Sequence, residues 1–188
     1  NSIKSGFKYF LIGLFASIIF LYGCSLIYGF SGATEFIKIS QSVEELEEDL
    51  PIGFFIGLIF VIVGLASKIS IIPFQTRVED CDKQAPVPVT VFLLVGPKIA
   101  VLSLLIQFLA GHLWFLFDHW QYIIITLSSI SMFFPSLMML FEDNLKRLFV
   151  YGATVQTGFA LMGLATGSDE GFSSILIYFC IYLTMNFG

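Results

Sequence analysis

Residues 52–72 read IGFFIGLIFVIVGLASKISII, a run of apolar positions with one charge, Lys68, and no period-two alternation. A helix needs about 20 apolar residues to cross a bilayer core, whereas a spanning strand needs about ten and alternates. The run therefore predicts a transmembrane α-helix. Five more runs read the same way: Phe7–Tyr28, Val87–Ala110, His119–Phe141, Leu148–Thr166 and Phe172–Phe187. The expected fold class is all-α, a polytopic membrane helix bundle of about six transmembrane helices in one domain. The first run is too long for a signal peptide, and a long acidic loop follows it in place of a small-residue cleavage site.

Composition agrees. The chain has 188 residues, 57% hydrophobic and 12% charged, with a mean hydropathy of +0.91. A soluble domain carries about a quarter charged residues. Nine Lys and Arg with fourteen Asp and Glu cannot coat a soluble globule of this size, which excludes a soluble enzyme and a disordered tail. A net charge of −5 without a basic patch excludes a nucleic-acid partner. Three Cys without C-x-x-C or His-paired spacing give no disulfide scaffold, zinc site or iron–sulfur site. No metal-ligating or cofactor-binding residue is expected.

The longest connection runs from Phe30 to Leu50 and reads as a solvated acidic loop. Ser42 and Glu45 stand in capping-box spacing for one or two surface turns over Ser42–Asp49. Gly53 with Gly57, and Gly13 with Ser17, are small-xxx-small pairs that permit close helix approach. Six spans place the loops alternately on two faces. The face holding the N-terminus receives Lys4, Lys8, Arg77, Lys83, Lys146 and Arg147, and the other receives only Lys38. The positive-inside rule assigns the first face to the cytoplasm or the mitochondrial matrix. Trp114, Trp120 and Tyr122 fall where interfacial aromatics belong, and His112 and His119 share that connection.

All fourteen carboxylates fall in loops, so the charges within spans are Lys68 and Lys98. A charged Lys at the bilayer centre costs about 2.5–3.5 kcal/mol on insertion scales. Lys98 lies about eleven residues, or about 16 Å, into the third run, close to the midplane. Pro97 beside it removes a backbone donor and opens the carbonyl one turn earlier. Lys68 lies about sixteen residues into its run, and counting leaves it open between a buried functional group and a snorkelling one. A desolvated amine can load and release a proton near neutral pH, and intramembrane ionisable chains mark proton relays. Ser70, Thr90, Ser103, Thr126, Ser128, Ser131, Thr154, Gln156 and Thr157 are the polar residues that can support a hydrated path. A buried ammonium wants a counter-charge, and the spans supply none. The expectation is a fragment or split piece, with the partner carboxylate on a helix outside this sequence.

Two segments carry a family resemblance. Gly64-Leu65-Ala66-Ser67-Lys68-Ile69-Ser70-Ile71-Ile72-Pro73-Phe74 is similar to the seventh helix of the antiporter-like subunits of respiratory complex I, the NADH–ubiquinone oxidoreductase. Ala85-Pro86-Val87-Pro88-Val89-Thr90-Val91-Phe92-Leu93, followed by Lys98-Ile99-Ala100, continues the match into the eighth. Lys8-Tyr9-Phe10, Leu21-Tyr22-Gly23 and Asn144-Leu145-Lys146-Arg147-Leu148 with Tyr151 add to it. The chain resembles helices six to eleven of the subunit 2 family.

The resemblance implies that Lys68 and Lys98 are the central proton-relay lysines and that the second span is a discontinuous helix broken near Pro73. In the family the seventh-helix lysine pairs with a glutamate on the fifth helix, and a further ionisable group sits on the twelfth. Both would lie outside this chain. The resemblance also implies a mitochondrial inner membrane, or alternatively a bacterial plasma membrane. Other membrane-arm subunits are the implied partners, with NADH, flavin, iron–sulfur clusters and ubiquinone held by partner subunits. The chain departs from the family at Gln75-Thr76-Arg77-Val78-Glu79-Asp80, where a His-x-Trp-x-Pro-Asp segment is usual, and at Gln156, which replaces a frequent histidine. Gln organises water but takes up no proton at neutral pH. Two other readings stand beside the proton-translocating one: an ion-exchange subunit of a cation/proton antiporter, and a structural membrane spacer.

Overall fold

The computed structural model describes residues 2–44, 50–71 and 87–187. Each apolar run is helical: α1 Ser2–Ser31, α3 Ile52–Lys68, α4 Val87–Leu105, α5 Phe117–Met139, α6 Leu145–Ala165 and α7 Asp169–Phe187. A further helix, α2 Phe36–Glu44, lies in the acidic connection. α4 runs on as a π-helical turn, Ile106–Ala110, and a 3-10 turn over Trp114–Leu116 leads into α5. No strand occurs among the described residues. Gly6–Ser31, Trp114–Met139 and Arg147–Ala165 are long and apolar enough to cross a membrane, and Ile52–Lys68 and Gly96–Ala110 are shorter apolar helices. This is the polytopic all-α bundle that the hydropathy predicts.

Two tight helix pairs organise the bundle, α1 with α3 and α5 with α6, and α4 lies between them. Lipid tails are as apolar as leucine, so such pairs are held by close packing and interhelical hydrogen bonds. A Cβ built on Gly23 would stand 2.8 Å from both the Gly57 carbonyl oxygen and the Val61 nitrogen, and one on Gly64 would stand 2.7 Å from Phe20 Cβ. Gly57 and Gly53 both serve this approach, since a Cβ on Gly57 would meet Leu26 Cβ at 3.0 Å and the Gly23 oxygen at 3.2 Å, and one on Gly53 would collide with the Phe30 ring of α1. The Gly13–Ser17 pair is joined within α1, where Ser17 Oγ donates to the Gly13 carbonyl at 2.9 Å. On the other pair, a Cβ on Gly158 would meet Ser131 Oγ at 2.9 Å, and Ser128 Oγ donates across to the Gly158 carbonyl at 2.8 Å.

The described part of the acidic connection, expected as a solvated loop, contains a helix. Phe36, Ile39 and Val43 recur at helical spacing, and α2 buries Ile39 and Val43. Phe36 packs its ring 5.2 Å from Phe108 and 5.6 Å from His112. Ser42 lies inside α2, where Oγ donates to the Ile39 carbonyl at 2.9 Å, so the expected Ser42–Glu45 capping box is replaced by an intrahelical bond. Residues 45–49 lie outside the described residues. Trp120 also departs from its expected interfacial place. It is fully buried, and its Nε1–H donates to the Leu113 carbonyl at 3.0 Å. Trp114 and Tyr122 do lie at the surface, while His119 packs on the Phe55 ring at 4.7 Å.

The second run ends as a helix at Lys68, before the proline expected to break it. The Ser70 N–H donates to the Ser67 carbonyl at 3.3 Å and the Ile71 N–H to the Ala66 carbonyl at 3.2 Å. That bond pair is the Schellman stop, which places Ser70 at the left-handed position with φ 60°. Pro73 and the segment around Gln75–Asp80 lie outside the described residues. Glycine normally fills such a position, because a Cβ there costs about 1–2 kcal/mol. We expect Ser70→Gly to stabilise the α3 terminus by about 1 kcal/mol, visible as a raised melting temperature in detergent. An unchanged or lowered melting temperature would count against the cap.

Candidate functional site

α4 turns Lys98, Val101, Leu102 and Leu105 inward, at the i, i+3, i+4, i+7 positions of one helix face. Lys98 is only 3% exposed, and it is the one buried charged side chain among the described residues. Its Nζ donates to the Ala153 carbonyl of α6 at 2.5 Å and stands 5.9 Å from the Tyr182 ring centroid of α7. Pro97, one residue earlier, gives the Leu93 carbonyl no α-helical donor. The ammonium thus replaces hydration with one backbone acceptor and one aromatic face, a cation–π contact of the ordinary range.

The Ala153 carbonyl has a second donor. Thr157 Oγ1 donates to the same oxygen at 2.7 Å. Thr154 Oγ1 donates to the Val150 carbonyl at 3.1 Å, and Ser131 Oγ to the Leu127 and Ser128 carbonyls at 2.7 and 2.9 Å. Thr154, Thr157, Ser128 and Ser131 are all buried. The Thr157 hydroxyl therefore meets the Lys98 amine at one carbonyl, and Thr154, Ser128 and Ser131 add three more buried hydroxyls along the α5–α6 pair in an otherwise apolar core. Hydroxyls both donate and accept, so such a cluster can organise a proton path where aliphatic residues cannot.

The other sequence-predicted residues fall elsewhere. Lys68 is exposed within this chain, on the last turn of α3, with Nζ 5.8 Å from the Phe20 ring centroid. Of the two placements that counting leaves open for Lys68, the exposed one is found within this chain, whereas Lys98 is buried. A cation at a helix C-terminus is favoured by the helix dipole, which fits the placement. Ser103 is exposed and donates to the Ala100 carbonyl at 3.0 Å. It follows Lys98 by five positions, about 140° around the helix, so it points away from the amine. Thr126 is likewise exposed, donating to the Ile123 carbonyl at 2.9 Å. Gln156 is half-buried and Ser70 serves the α3 stop. Thr90 lies in α4, with its side chain outside the described residues.

Two features of the site were not read from the sequence. The Ala153 carbonyl is a backbone group and leaves no residue-type signal. Tyr182 stands in an apolar run among many aromatics, and nothing in its spacing marks it. The structure also closes the α5–α6 turn with Arg147, whose guanidinium Nη1 donates to Glu142 Oε1 and Oε2 at 3.2 and 3.1 Å.

Residues 1–188 match the family described as NADH:quinone oxidoreductase/Mrp antiporter, TM. The chain is 42% identical over 188 residues to NADH-quinone oxidoreductase subunit N of Rhodospirillum rubrum, covering 100% of this chain and 38% of that protein. It is 43% identical over 186 residues to subunit N of Pelagibacter ubique, covering 99% and 39%. It is 39% identical over 189 residues to NAD(P)H-quinone oxidoreductase subunit 2 of Microcystis aeruginosa, covering 100% and 37%. A chain in the structure of the membrane-bound sulfane sulfur reductase, an archaeal respiratory membrane complex, shares the fold with a TM-score of 0.81. That chain is 24% identical, with 98% of this chain and 37% of that one covered. The chain thus spans less than two fifths of the length of the relatives it matches. With a match along its whole length, it belongs to the NADH:quinone oxidoreductase/Mrp antiporter transmembrane family.

Proposed function

We propose that this chain is the proton-relaying part of a membrane-arm subunit of a proton-pumping NADH:quinone oxidoreductase, with Lys98 as the central relay group. The observation that carries the reading is the Lys98 amine, buried on the Ala153 carbonyl that also accepts from the buried Thr157 hydroxyl. A buried amine beside a hydroxyl, in a core with no described carboxylate, is suited to exchanging a proton rather than to holding a fold together. Lys68, exposed on the α3 terminus, is free within this chain to meet a carboxylate supplied by a partner helix.

In this mechanism, redox chemistry elsewhere in the assembly changes the charge or hydration around Lys68. A proton passes between Lys68 and Lys98, moves on through the hydroxyl cluster and a partner helix, and leaves on the face opposite the N-terminus. NADH, flavin, iron–sulfur clusters and ubiquinone belong to partner subunits, and the redox active site is theirs. The cation bias of the loops supports an N-terminus on the cytoplasmic or matrix side. The three quinone oxidoreductase subunits named above are bacterial, which supports a bacterial plasma membrane alongside the mitochondrial inner membrane.

The family description also names Mrp antiporters, which favours cation/proton exchange as the second reading. The native assembly in sealed vesicles separates the two. Acidification should follow NADH oxidation and be indifferent to sodium. Sodium-dependent proton exchange without NADH oxidation would replace the first reading with the second.

A further inference from the structure

The Ala153 carbonyl lies between two donors that cannot both be served equally. A carbonyl oxygen has two lone pairs. Helical Thr157 directs its backbone N–H at one of them, as any α-helical residue does four positions on. The Lys98 amine at 2.5 Å and the Thr157 hydroxyl at 2.7 Å then converge on what remains. We propose that Thr157 is a positioning residue for Lys98, exchanging its own hydrogen bond with the amine as the amine gains or loses its proton. This rests on the relay reading of Lys98.

The physics sets the direction of the exchange. A charged amine makes a charge-assisted bond to the carbonyl, roughly twice as strong as a neutral one. The charged amine takes the Ala153 oxygen and frees the Thr157 hydroxyl to donate elsewhere, while its own lone pairs remain available. A neutral amine binds the carbonyl weakly and offers a lone pair, so the hydroxyl reclaims Ala153. The hydroxyl rotates about one bond in either direction, and no covalent bond other than O–H or N–H changes. Thr154 is the internal contrast: it is one turn away and as buried, but its bond goes to Val150, which holds no lysine. Ser128 and Ser131 likewise bond carbonyls that Lys98 does not reach. Thr157 alone among the four shares an acceptor with the amine.

The test uses the complete assembly in vesicles, with protons moved per NADH oxidised as the readout. Thr157→Val keeps the shape and removes the hydroxyl. It should lower the ratio several-fold while electron transfer continues, and Thr157→Ser should restore it. Ser17→Ala, which removes a hydroxyl bonded only to the Gly13 carbonyl within α1, should leave the ratio near that of the parent. A parental ratio in Thr157→Val overturns the proposal, as does an equal loss in Ser17→Ala. Should Thr157→Val fail to assemble, Thr157→Ala is judged by the same criteria. Lys98→Met is measured in parallel. A parental ratio there removes the relay reading itself, whereas its loss beside a normal Thr157→Val removes only the positioning role.

Discussion

A chain carrying Gly23→Leu is expected to lose the α1–α3 pair, and with it incorporation into the assembly. The contact is backbone against backbone. The new Cβ alone would sit 2.8 Å from the Gly57 oxygen and the Val61 nitrogen, atoms that no side-chain rotation can move. In packed cores, added methylenes cost about 1–3 kcal/mol when neighbours can adjust. Here α1 must retreat from α3 along the whole crossing, which also gives up the Gly57 and Gly64 contacts, so the cost should exceed that range. Lipid offers no compensating hydrophobic gain, since the tails solvate a leucine as well as a neighbouring helix does. Gly29→Leu is the matched control in the same helix, because nothing lies within 4 Å of a Cβ built there. The yield of intact assembly on a native gel should collapse for Gly23→Leu and persist for Gly29→Leu. Equal yields would show that the close approach contributes nothing.

Much of this fold was legible in the sequence, for reasons that can be assigned residue by residue. The six long runs became helices because a backbone in lipid must satisfy its own hydrogen bonds, and length alone settles the choice. Helix ends were less legible. The run from Ile52 stays apolar past Lys68, and the helix stops there through a left-handed Ser70 that propensity does not favour. Aromatic belts misled at Trp120, although its inward position could be read from the stripe Trp120, Ile124, Ser128, Ser131 and Pro135 that α5 buries. The acidic residues of the long connection masked the Phe36, Ile39, Val43 spacing of α2.

The candidate site was legible as residues but not as an arrangement. Lys98 and the α5–α6 hydroxyls stood out because polar groups are rare in these spans. Which of them meet depends on helix rotation. Ser103 shares a helix with Lys98 and turns away, while Thr157 lies 59 positions on and shares its acceptor. That acceptor is a backbone carbonyl, which every residue possesses and no sequence pattern announces. Lys68 is exposed within this chain, so its charge stood out in the sequence while its surroundings did not.

The second large effect concerns Lys98 itself. Lys98→Met should assemble at least as well as the parent and transport far less. A buried charge with no buried counter-charge among the described residues costs desolvation energy that an apolar group of similar volume does not, and methionine adapts readily to such a space. The Ala153 carbonyl is not abandoned, because Thr157 Oγ1 still donates to it at 2.7 Å. Stability therefore should not fall. Transport should, because thioether sulfur neither binds nor releases a proton at neutral pH, and the described spans hold no other buried charged side chain to take over. Lys98→Arg separates charge from exchange: guanidinium keeps the charge but does not give up its proton in proteins. It should be as defective in transport as Lys98→Met. A structural spacer predicts the reverse pattern, in which Lys98→Met loses assembly with no selective loss of pumping.

The most direct measurement is the number of protons moved per NADH oxidised in vesicles holding the Lys98→Met assembly, beside the parent at a matched oxidation rate. The relay account predicts a clearly lower ratio with electron transfer retained. A ratio equal to that of the parent would contradict it.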